Sequence, residues 1–237
     1  MFIIDLEFSR NEKGATMSAE ESKKIVKKAM DAARSGDMQP AFTGLAQAIK
    51  LDPKNADAYH HRARLLLQVM GDTPGAIMDC DKAIEIDPMH HLAYGFRSVA
   101  RREKGDYEGA LEDAEKSLEI KPDYMAGYGV RGLAKHMCGD LEGAIADASK
   151  VIEMLPNYYE AYVDRGVAKE ELGDIQGAIN DYNRALEIRP QCARAFFERS
   201  IAKKMAGDEE GANADMEKAA SLDPNPGGRS VRTKPVD

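Results

Sequence analysis

The chain has few cysteines, no excess of basic residues and no long apolar run. Its 237 residues carry a formal net charge of −8, and no basic stripe is present that would match the phosphates of a nucleic acid. Cys80, Cys138 and Cys192 are widely spaced and odd in number, which favours reduced thiols over a disulfide framework. No apolar segment is long enough to predict a membrane-spanning helix. We therefore expect a cytoplasmic protein that binds no nucleic acid.

The motifs of common enzyme classes are also missing. No glycine-rich phosphate loop follows a predicted strand, and no nucleophile motif occurs. The histidines form the pairs His60-His61 and His90-His91, with His136 alone. Clustered imidazoles bind zinc and related metals, but adjacent histidines on a helix point in different directions, and no cysteine or carboxylate is identified at ligand spacing beside them. We predict no metal, cofactor or catalytic residue and expect solvated histidines with a pH-sensitive role in recognition. A metal-binding enzyme that uses the paired histidines is a remote alternative.

The most informative feature that is present is a dipeptide repeated at a fixed interval. Gly-Asp begins at Gly36, Gly71, Gly105, Gly139, Gly173 and Gly207. A proline follows each of these glycines after 17 residues, at Pro53, Pro88, Pro122, Pro156, Pro190 and Pro224. The period is 34 residues, with one extra residue in the second unit. Such a period predicts a stack of helical hairpins, which is a surface for holding other molecules more often than a catalyst.

The third unit, residues 91–124, illustrates how one period predicts two helices. Tyr94 and Arg97 lie at helical spacing on adjoining parts of one face. Gly105 is expected to end the first helix in the left-handed conformation, and Asp106 to cap the second helix. Pro122 closes the unit, because proline cannot continue a helix.

Several apolar and small residues recur at equivalent positions. An aromatic row consists of Tyr59, Tyr94, Tyr128, Tyr162 and Phe196. A row in the second helices consists of Ala41, Ala76, Ala110, Ala144, Ala178 and Ala212. Five of these alanines follow a glycine, at Gly75, Gly109, Gly143, Gly177 and Gly211, which indicates a need for space. The second helices end in the apolar row Leu51, Ile86, Ile120, Met154, Ile188 and Leu222. We expect the ring of Tyr128, in the middle of the stack, to be buried against neighbouring helices.

Two charged rows have the same period. Arginines recur in the first helices at Arg62, Arg97, Arg131, Arg165 and Arg199. Aspartates recur in the second helices at Asp79, Asp113, Asp147, Asp181 and Asp215. The matching periods favour arginine–aspartate pairs inside the scaffold. The alternative is a ladder of arginines that binds anions.

In these rows and their spacing, the sequence resembles the tetratricopeptide repeat (TPR) family over about residues 22–226. The resemblance implies an all-α fold: a right-handed α-solenoid of six helix-turn-helix repeats within residues 18–224. The repeats are expected at about residues 22–55, 56–90, 91–124, 125–158, 159–192 and 193–226. The first repeat is degenerate, because Ile25 takes the aromatic position and Lys28 the arginine position.

The resemblance also implies a binding site for peptide segments of partner proteins. In this family the first helices line a concave groove, and the second helices form the convex back. The lining positions correspond to His60, His61, Arg64, Phe96, Val99, Arg102, Val130, Leu133, His136, Val163, Asp164, Val167, Glu170, Phe197, Glu198, Ile201 and Lys204. They predict a mostly apolar trough with charged borders, suited to an extended segment or an amphipathic helix. The alternative is that these side chains only pack between neighbouring first helices.

One function found in the family is not expected here. Some members hold the acidic C-terminal tails of chaperones with a clamp of lysine, asparagine and arginine. In the corresponding register Val26 and Met30 stand at the first pair of positions, and Leu92 and Phe96 at the last. We therefore predict that the chain lacks this carboxylate clamp.

Two terminal segments fall outside the repeats. Ser18-Ala-Glu-Glu21 fits a capping box and predicts that the first helix begins there. Residues 1–17 are then an N-terminal extension. It is disordered, or it packs on the first hairpin or on a partner, or it precedes a true start at Met17, and it does not resemble a secretory signal. Residues 225–237 are expected to form a disordered basic tail with Arg229, Arg232 and Lys234.

The sequence as a whole predicts a non-enzymatic adaptor that holds a partner protein in the groove of its repeats. The alternative is a self-assembling scaffold, a homo-oligomer joined through the N-terminal segment or the first hairpin. The sequence does not identify the partner.

Overall fold

A computed structural model describes residues 2–227, with side chains from residue 18 onward. The regular secondary structure elements of this range are all helices, as predicted. The helices are α1 (Phe2–Arg34), α2 (Met38–Leu51), α3 (Ala56–Leu65), α4 (Thr73–Ile86), α5 (His91–Glu103), α6 (Tyr107–Ile120), α7 (Met125–Met137), α8 (Leu141–Met154), α9 (Tyr159–Glu171), α10 (Ile175–Ile188), α11 (Ala193–Met205) and α12 (Glu209–Leu222). A π-helical turn, Leu66–Met70, extends α3.

The helices form two compact units. The first unit, Met1–Asp106, contains α1 to α5, and the second unit, Tyr107–Asp237, contains α6 to α12. Within each unit the main packing is between helices that follow one another in the chain, such as α1 with α2 or α9 with α10. This nearest-neighbour packing is what a repeat architecture requires, since each hairpin buries its apolar face only against the next.

The predicted repeat boundaries coincide with the ends of helices. Five first helices, α3, α5, α7, α9 and α11, begin at residues 56, 91, 125, 159 and 193. The apolar row from Leu51 to Leu222 supplies the last residue of each even-numbered helix. The helices therefore begin where the period places the starts of these repeats, while the division into repeats stays a prediction.

The N-terminal helix differs from the prediction. It begins at Phe2 rather than at Ser18, so the expected capping box lies inside a helix of 33 residues. No proline occurs before Pro40, so the chain contains no residue that would force a break at Ser18. The origin and contacts of residues 1–17 stay a prediction. The basic tail residues Arg229, Arg232 and Lys234 lie outside the described residues.

The turn between the two helices of a repeat has the geometry that the Gly-Asp dipeptide predicts. All six glycines have φ between 64° and 91°, a conformation that strongly favours glycine. Capping by the following aspartate is shown for Asp72, Asp140, Asp174 and Asp208. Each carboxylate accepts a hydrogen bond from the N–H of the glycine three residues later, at 2.9–3.0 Å. Asp37, in the degenerate first repeat, makes no such bond.

The glycines before the alanine row provide space, as expected. A Cβ atom on Gly75, Gly143, Gly177 or Gly211 would lie 2.0–2.3 Å from a carboxylate oxygen of the capping aspartate. The space is thus occupied by the cap itself, not by the facing helix. The neighbouring alanines do face the other helix, and all six are buried.

Arginine–aspartate pairs are built into the scaffold, as the matching periods predicted. Four arginines each donate two hydrogen bonds, from Nε and Nη2, to the aspartate of their own repeat. The pairs are Arg62–Asp79, Arg131–Asp147, Arg165–Asp181 and Arg199–Asp215, with distances of 2.6–2.9 Å. Bidentate pairs of this kind fix orientation as well as adding energy. The fifth pair, Arg97 with Asp113, stays a prediction.

The same arginines also contact the aromatic row. Each guanidinium carbon lies 5.4–5.8 Å from the ring centre of the aromatic residue in its own repeat, within the range of a cation–π contact. Arg165 and Arg199 reach the preceding repeat as well, through Ser149 Oγ at 3.1 Å and Asn183 Oδ1 at 2.7 Å. One side chain therefore joins both helices of its own repeat and, in these two cases, the preceding one.

The expectation that Tyr128 is deeply buried was wrong. Its ring is only half-buried, and its hydroxyl donates to the carbonyl oxygen of Pro122 at 3.0 Å. The most buried tyrosine is Tyr182 in α10, which has no exposed surface and lies at the centre of the core between α9 and α10. Within the aromatic row only Tyr162 is buried, and it belongs to the same core cluster as Tyr182.

We expect Arg131 and Asp147 to be strongly coupled. In urea unfolding, a double-mutant cycle of Arg131→Ala and Asp147→Ala should give an interaction energy of about 1 kcal/mol or more, because the pair is bidentate and Asp147 is buried. The exposed pair Lys150–Glu153 lies on the same helix and is the matched control, which should couple more weakly. Equal coupling in both pairs would contradict the scaffold role.

Truncating Tyr182 should cost more stability than truncating Tyr128. Tyr182→Ala removes a fully buried ring and should lower the free energy of unfolding by about 3–5 kcal/mol, whereas Tyr128→Ala should cost clearly less. Tyr182→Phe is the control for the hydroxyl, which donates to Glu170 Oε2 at 3.2 Å, and should cost about 1 kcal/mol. Urea unfolding measures all three, and equal losses for the two alanine variants would overturn this assignment of the core.

Candidate functional site

The predicted groove residues lie on the first helices of both units, and most of them are buried or half-buried. Only Lys204 is exposed. Those that are buried are His60, His136, Val163, Val167, Glu170 and Glu198. The remaining residues are half-buried, so only part of each side chain is accessible to a ligand. The assignment of the whole set to a groove, like the alternative that it only packs between first helices, stays a prediction.

In the second unit, five of the predicted residues meet around one cavity. It has a volume of about 240 Å³ and lies between α7, α8 and α9, with Arg194 of α11 at one side. The predicted residues in its wall are Val130, Leu133, His136, Asp164 and Val167. The structure does not bring Val163, Glu170, Phe197, Glu198, Ile201 or Lys204 to this wall.

The cavity exists because one repeat lacks a large side chain that the next repeat has. In α10, Tyr182 packs against Gly166 so closely that a Cβ there would lie 2.5 Å from the tyrosine Cε1. One period earlier, the equivalent residues are Ala148 and Gly132. Both line the cavity. A methyl group thus stands where the neighbouring repeat places a phenol ring, and the missing volume remains open.

An ion pair gives the cavity its polar side. Arg194 Nη2 lies 2.8 Å from Asp164 Oδ1, and Arg194 Nε lies 3.8 Å from Glu198 Oε1. Burial disfavours the charge on Arg194, but the two carboxylates outweigh it and raise the pKa of the guanidinium. His136 Nε2 is 3.1 Å from Glu171 Oε1. The cavity therefore combines apolar walls with a charged pair that is internally compensated.

Sequence reasoning missed Arg194 and Ala148 as parts of this site. Arg194 lies on the first turn of α11, outside the family's lining positions. Ala148 belongs to a second helix, which was assigned to the back of the repeat. Comparison of equivalent positions could have found it, because alanine replaces tyrosine there one period apart.

The first unit contains a second cluster of polar side chains, built from histidines. The ring centres of His60 and His61 are 4.2 Å apart, and those of His60 and His90 are 5.0 Å apart. His90 Nε2 lies 3.1 Å from Asp57 Oδ1. His60, His90 and also His136 of the other unit are buried, so the expectation that the histidines are solvated was wrong for these three.

Burial keeps two of these histidines neutral. Desolvation, with smaller contributions from His61 and His90, lowers the pKa of His60 from 6.5 to about 2. Desolvation, with a contribution from the Arg64 guanidinium, lowers the pKa of His61 to about 4. A neutral imidazole retains a nitrogen lone pair that can accept a hydrogen bond or bind a metal ion.

Asp57 is the carboxylate that sequence reasoning did not identify beside the histidines. It lies three residues before His60 on α3, a spacing that places both on one face of the helix. His90 joins them as the N-cap residue of α5, where its Nδ1 accepts a hydrogen bond from the Ala93 N–H at 3.3 Å. The spacing Asp-x-x-His was the available signal.

The cysteines and the membrane prediction can also be compared with the structure. Cys80 and Cys192 are buried, Cys138 is exposed, and none of the three forms a disulfide. No helix within the described residues is both long enough and apolar enough to cross a membrane. Cytoplasmic placement stays a prediction.

The histidine cluster should make the first unit less stable in acid. As the pH falls from 6.5 toward 4, the unfolded chain binds protons on His60 and His61 while the folded chain keeps them neutral, so the free energy of unfolding decreases. A His60→Gln, His61→Gln variant should lose less stability over this range. Urea midpoints at several pH values measure the difference, and parallel losses in both proteins would contradict the assignment.

Comparison with known proteins agrees with the repeat geometry. Three family models, each described as a tetratricopeptide repeat, match residues 45–78, 92–124 and 159–192. Tetratricopeptide repeat protein 36 of Homo sapiens and that of Bos taurus are each 37% identical to this chain over 67 residues. The match covers 28% of this chain and about a third, 35%, of each relative.

Solved structures share the fold at low sequence identity. The type IV pilus biogenesis factor PilW is 18% identical, with a TM-score of 0.77, over 86% of this chain and 94% of that one. PilF of Pseudomonas aeruginosa is 17% identical, with a TM-score of 0.73, over 87% and 94%. YrrB, described as a TPR protein with an unusual peptide-binding site, is 22% identical, with a TM-score of 0.59, over 76% and 93%.

These matches support a general role in protein–protein interaction. Two of the matches, to residues 92–124 and 159–192, cover α5 with α6 and α9 with α10. The match to residues 45–78 runs from the end of α2 through α3 into α4. The chain is a member of the tetratricopeptide repeat family, with an all-α solenoid fold.

Proposed function

We propose that this protein is a non-enzymatic adaptor that binds an extended or helical segment of a partner protein in the concave groove of its repeats. In the second unit, an apolar side chain of that segment enters the cavity between α7, α8 and α9. The observation that carries the proposal is the position of this cavity. Its wall joins Val130, Leu133 and Val167 of the predicted groove to the space left by Ala148.

The size of the cavity favours an anchoring side chain over a small-molecule ligand. Its volume of about 240 Å³ lies below the range of about 300–1,000 Å³ that is usual for small-molecule sites. Peptide recognition commonly depends on a few side chains that fill such apolar pockets, while the rest of the contact supplies complementarity. A leucine, methionine or phenylalanine side chain would suit these walls.

The polar side of the cavity supports binding without a strong dependence on charge. Because Arg194 is already paired with Asp164, it offers no uncompensated charge to a partner. The pair can still exchange hydrogen bonds with the backbone of a bound segment. We therefore propose that buried apolar area provides most of the affinity and that moderate salt changes it little.

Filling the cavity should abolish binding without unfolding the protein. Peptides selected from a random display library on the wild-type chain provide probes whose affinity can be measured by fluorescence anisotropy. Ala148→Phe places a ring where the anchoring side chain would enter, so the affinity should fall at least about tenfold, the equivalent of about 1.4 kcal/mol. Ala220→Phe makes the same change at an exposed position of α12 and should leave the affinity unchanged.

Folding of the variants is checked by thermal unfolding, which should be unaffected or improved in Ala148→Phe because the ring fills empty space. If Ala148→Phe strains the core, Val130→Asp tests the same wall from a half-buried position. Peptides that bind both folded variants with wild-type affinity would show that the cavity is not the anchor site, and the convex face would then have to be tested.

A further inference from the structure

We propose that Asp57, His60 and His90 of the first unit form a binding site for a divalent transition metal ion, for which zinc is the best match. One ligand atom from each of these residues lies within 4.8 Å of the ligand atoms of the other two. This function is independent of the peptide-binding role and uses none of the residues of the cavity.

The three side chains come from parts of the fold that hold them in place. Asp57 and His60 are one helical turn apart on α3, and His90 is the N-cap of α5. Zinc binds imidazole nitrogen and carboxylate oxygen at about 2.0–2.2 Å with tetrahedral geometry, which puts neighbouring ligand atoms about 3.4 Å apart. Closing separations of at most 4.8 Å to that value needs only small side-chain rotations.

An unpartnered polar atom is an independent sign of a ligand. His60 is 2% exposed, and its Nδ1 has no hydrogen-bond partner among the described residues. A buried polar atom without a partner is unfavourable for folding and rare in native structures. A neutral imidazole has a nitrogen lone pair that a metal ion can bind. Metal binding at this ring would offset the cost of burying it.

The ligand set also suits a transition metal more than calcium or magnesium. Two imidazoles and one carboxylate match zinc and its neighbours, whereas calcium and magnesium prefer sets made of oxygen atoms. Three protein ligands leave one tetrahedral position for water or for a group from a partner. The ring of Phe96 packs beside the cluster, with its centre 5.5 Å from that of His60.

Metal binding must compete with a bond that His90 already makes. The Nδ1 atom of His90 accepts from the Ala93 N–H, and Nε2 then shares its proton with Asp57 Oδ1 at 3.1 Å. A metal ion takes the place of that shared proton. The proton moves to Nδ1, and the Ala93 N–H loses this side-chain acceptor while keeping its bond to the His90 carbonyl oxygen. Binding should therefore be detectable at the N-terminus of α5.

The test uses the full, untagged chain after treatment with a chelator. Zinc is titrated in competition with a fluorescent chelator, and one ion per chain is expected to bind. Asp57→Asn, His60→Gln and His90→Ser should each weaken zinc binding by at least about 10–100-fold, the range seen when even an indirect metal contact is lost. Serine retains a side-chain acceptor for the cap at residue 90, so that variant separates metal binding from helix stability.

Two further measurements identify the site. His61→Ala and His91→Ala remove neighbouring imidazoles and should leave zinc affinity within about twofold, while zinc should raise the melting temperature of the wild-type chain but not that of His90→Ser. The amide signal of Ala93 should move on zinc addition in NMR spectra. The proposal is overturned if no zinc binds, or if Asp57→Asn and His90→Ser bind as well as the wild type. Loss of binding in His61→Ala alone would equally contradict it.

Discussion

The arginine that pairs with the aspartate of its own repeat is the interaction on which the repeat scaffold depends. Arg165, for example, makes two hydrogen bonds to Asp181, lies over the ring of Tyr162 and reaches Ser149 of the preceding repeat. A guanidinium can do this because it is planar and has five donors in fixed directions. Lysines strengthen the arrangement, since Lys169 Nζ lies 2.8 Å from the same carboxylate. Repetition of this interaction fixes the distance between first and second helices and between successive repeats.

This repeated interaction forms a regular frame. Positions at which one repeat differs from its neighbour are therefore informative. The arginine–aspartate pair has similar hydrogen-bond lengths in the repeat that contains Tyr182 and in the repeat that contains Ala148. Where Tyr182 fills it, the hairpin has a continuous core. Where Ala148 stands instead, the frame leaves a cavity beside Val130 and Leu133. The proposed anchor pocket is thus a consequence of one small residue within a framework that does not collapse around it.

The histidine cluster is a second departure from the regular repeat, and it concerns the polarity of the side chains. Asp57, His60 and His90 occupy positions that carry no similar trio in the other described repeats. Buried imidazoles are costly when they lack hydrogen-bond partners, as His60 Nδ1 does. The proposed metal ion would join α3 to α5 and would turn this unfavourable cluster into a stabilising one.

The sequence by itself determined the period, the ends of the helices, the glycine and aspartate turns and the pairing of the charged rows. These features depend on local backbone preferences and on contacts one repeat long, so a fixed spacing is enough to define them. The tertiary structure decided which side chains are buried and which spaces stay open. Sequence reasoning placed Tyr128 in the core and the histidines in solvent, because position in a repeat does not measure how closely its neighbours pack. The role of Ala148 at the cavity and the contact between Asp57 and His90 depend on side chains from different helices. The distances between such side chains cannot be derived from the pattern of one repeat.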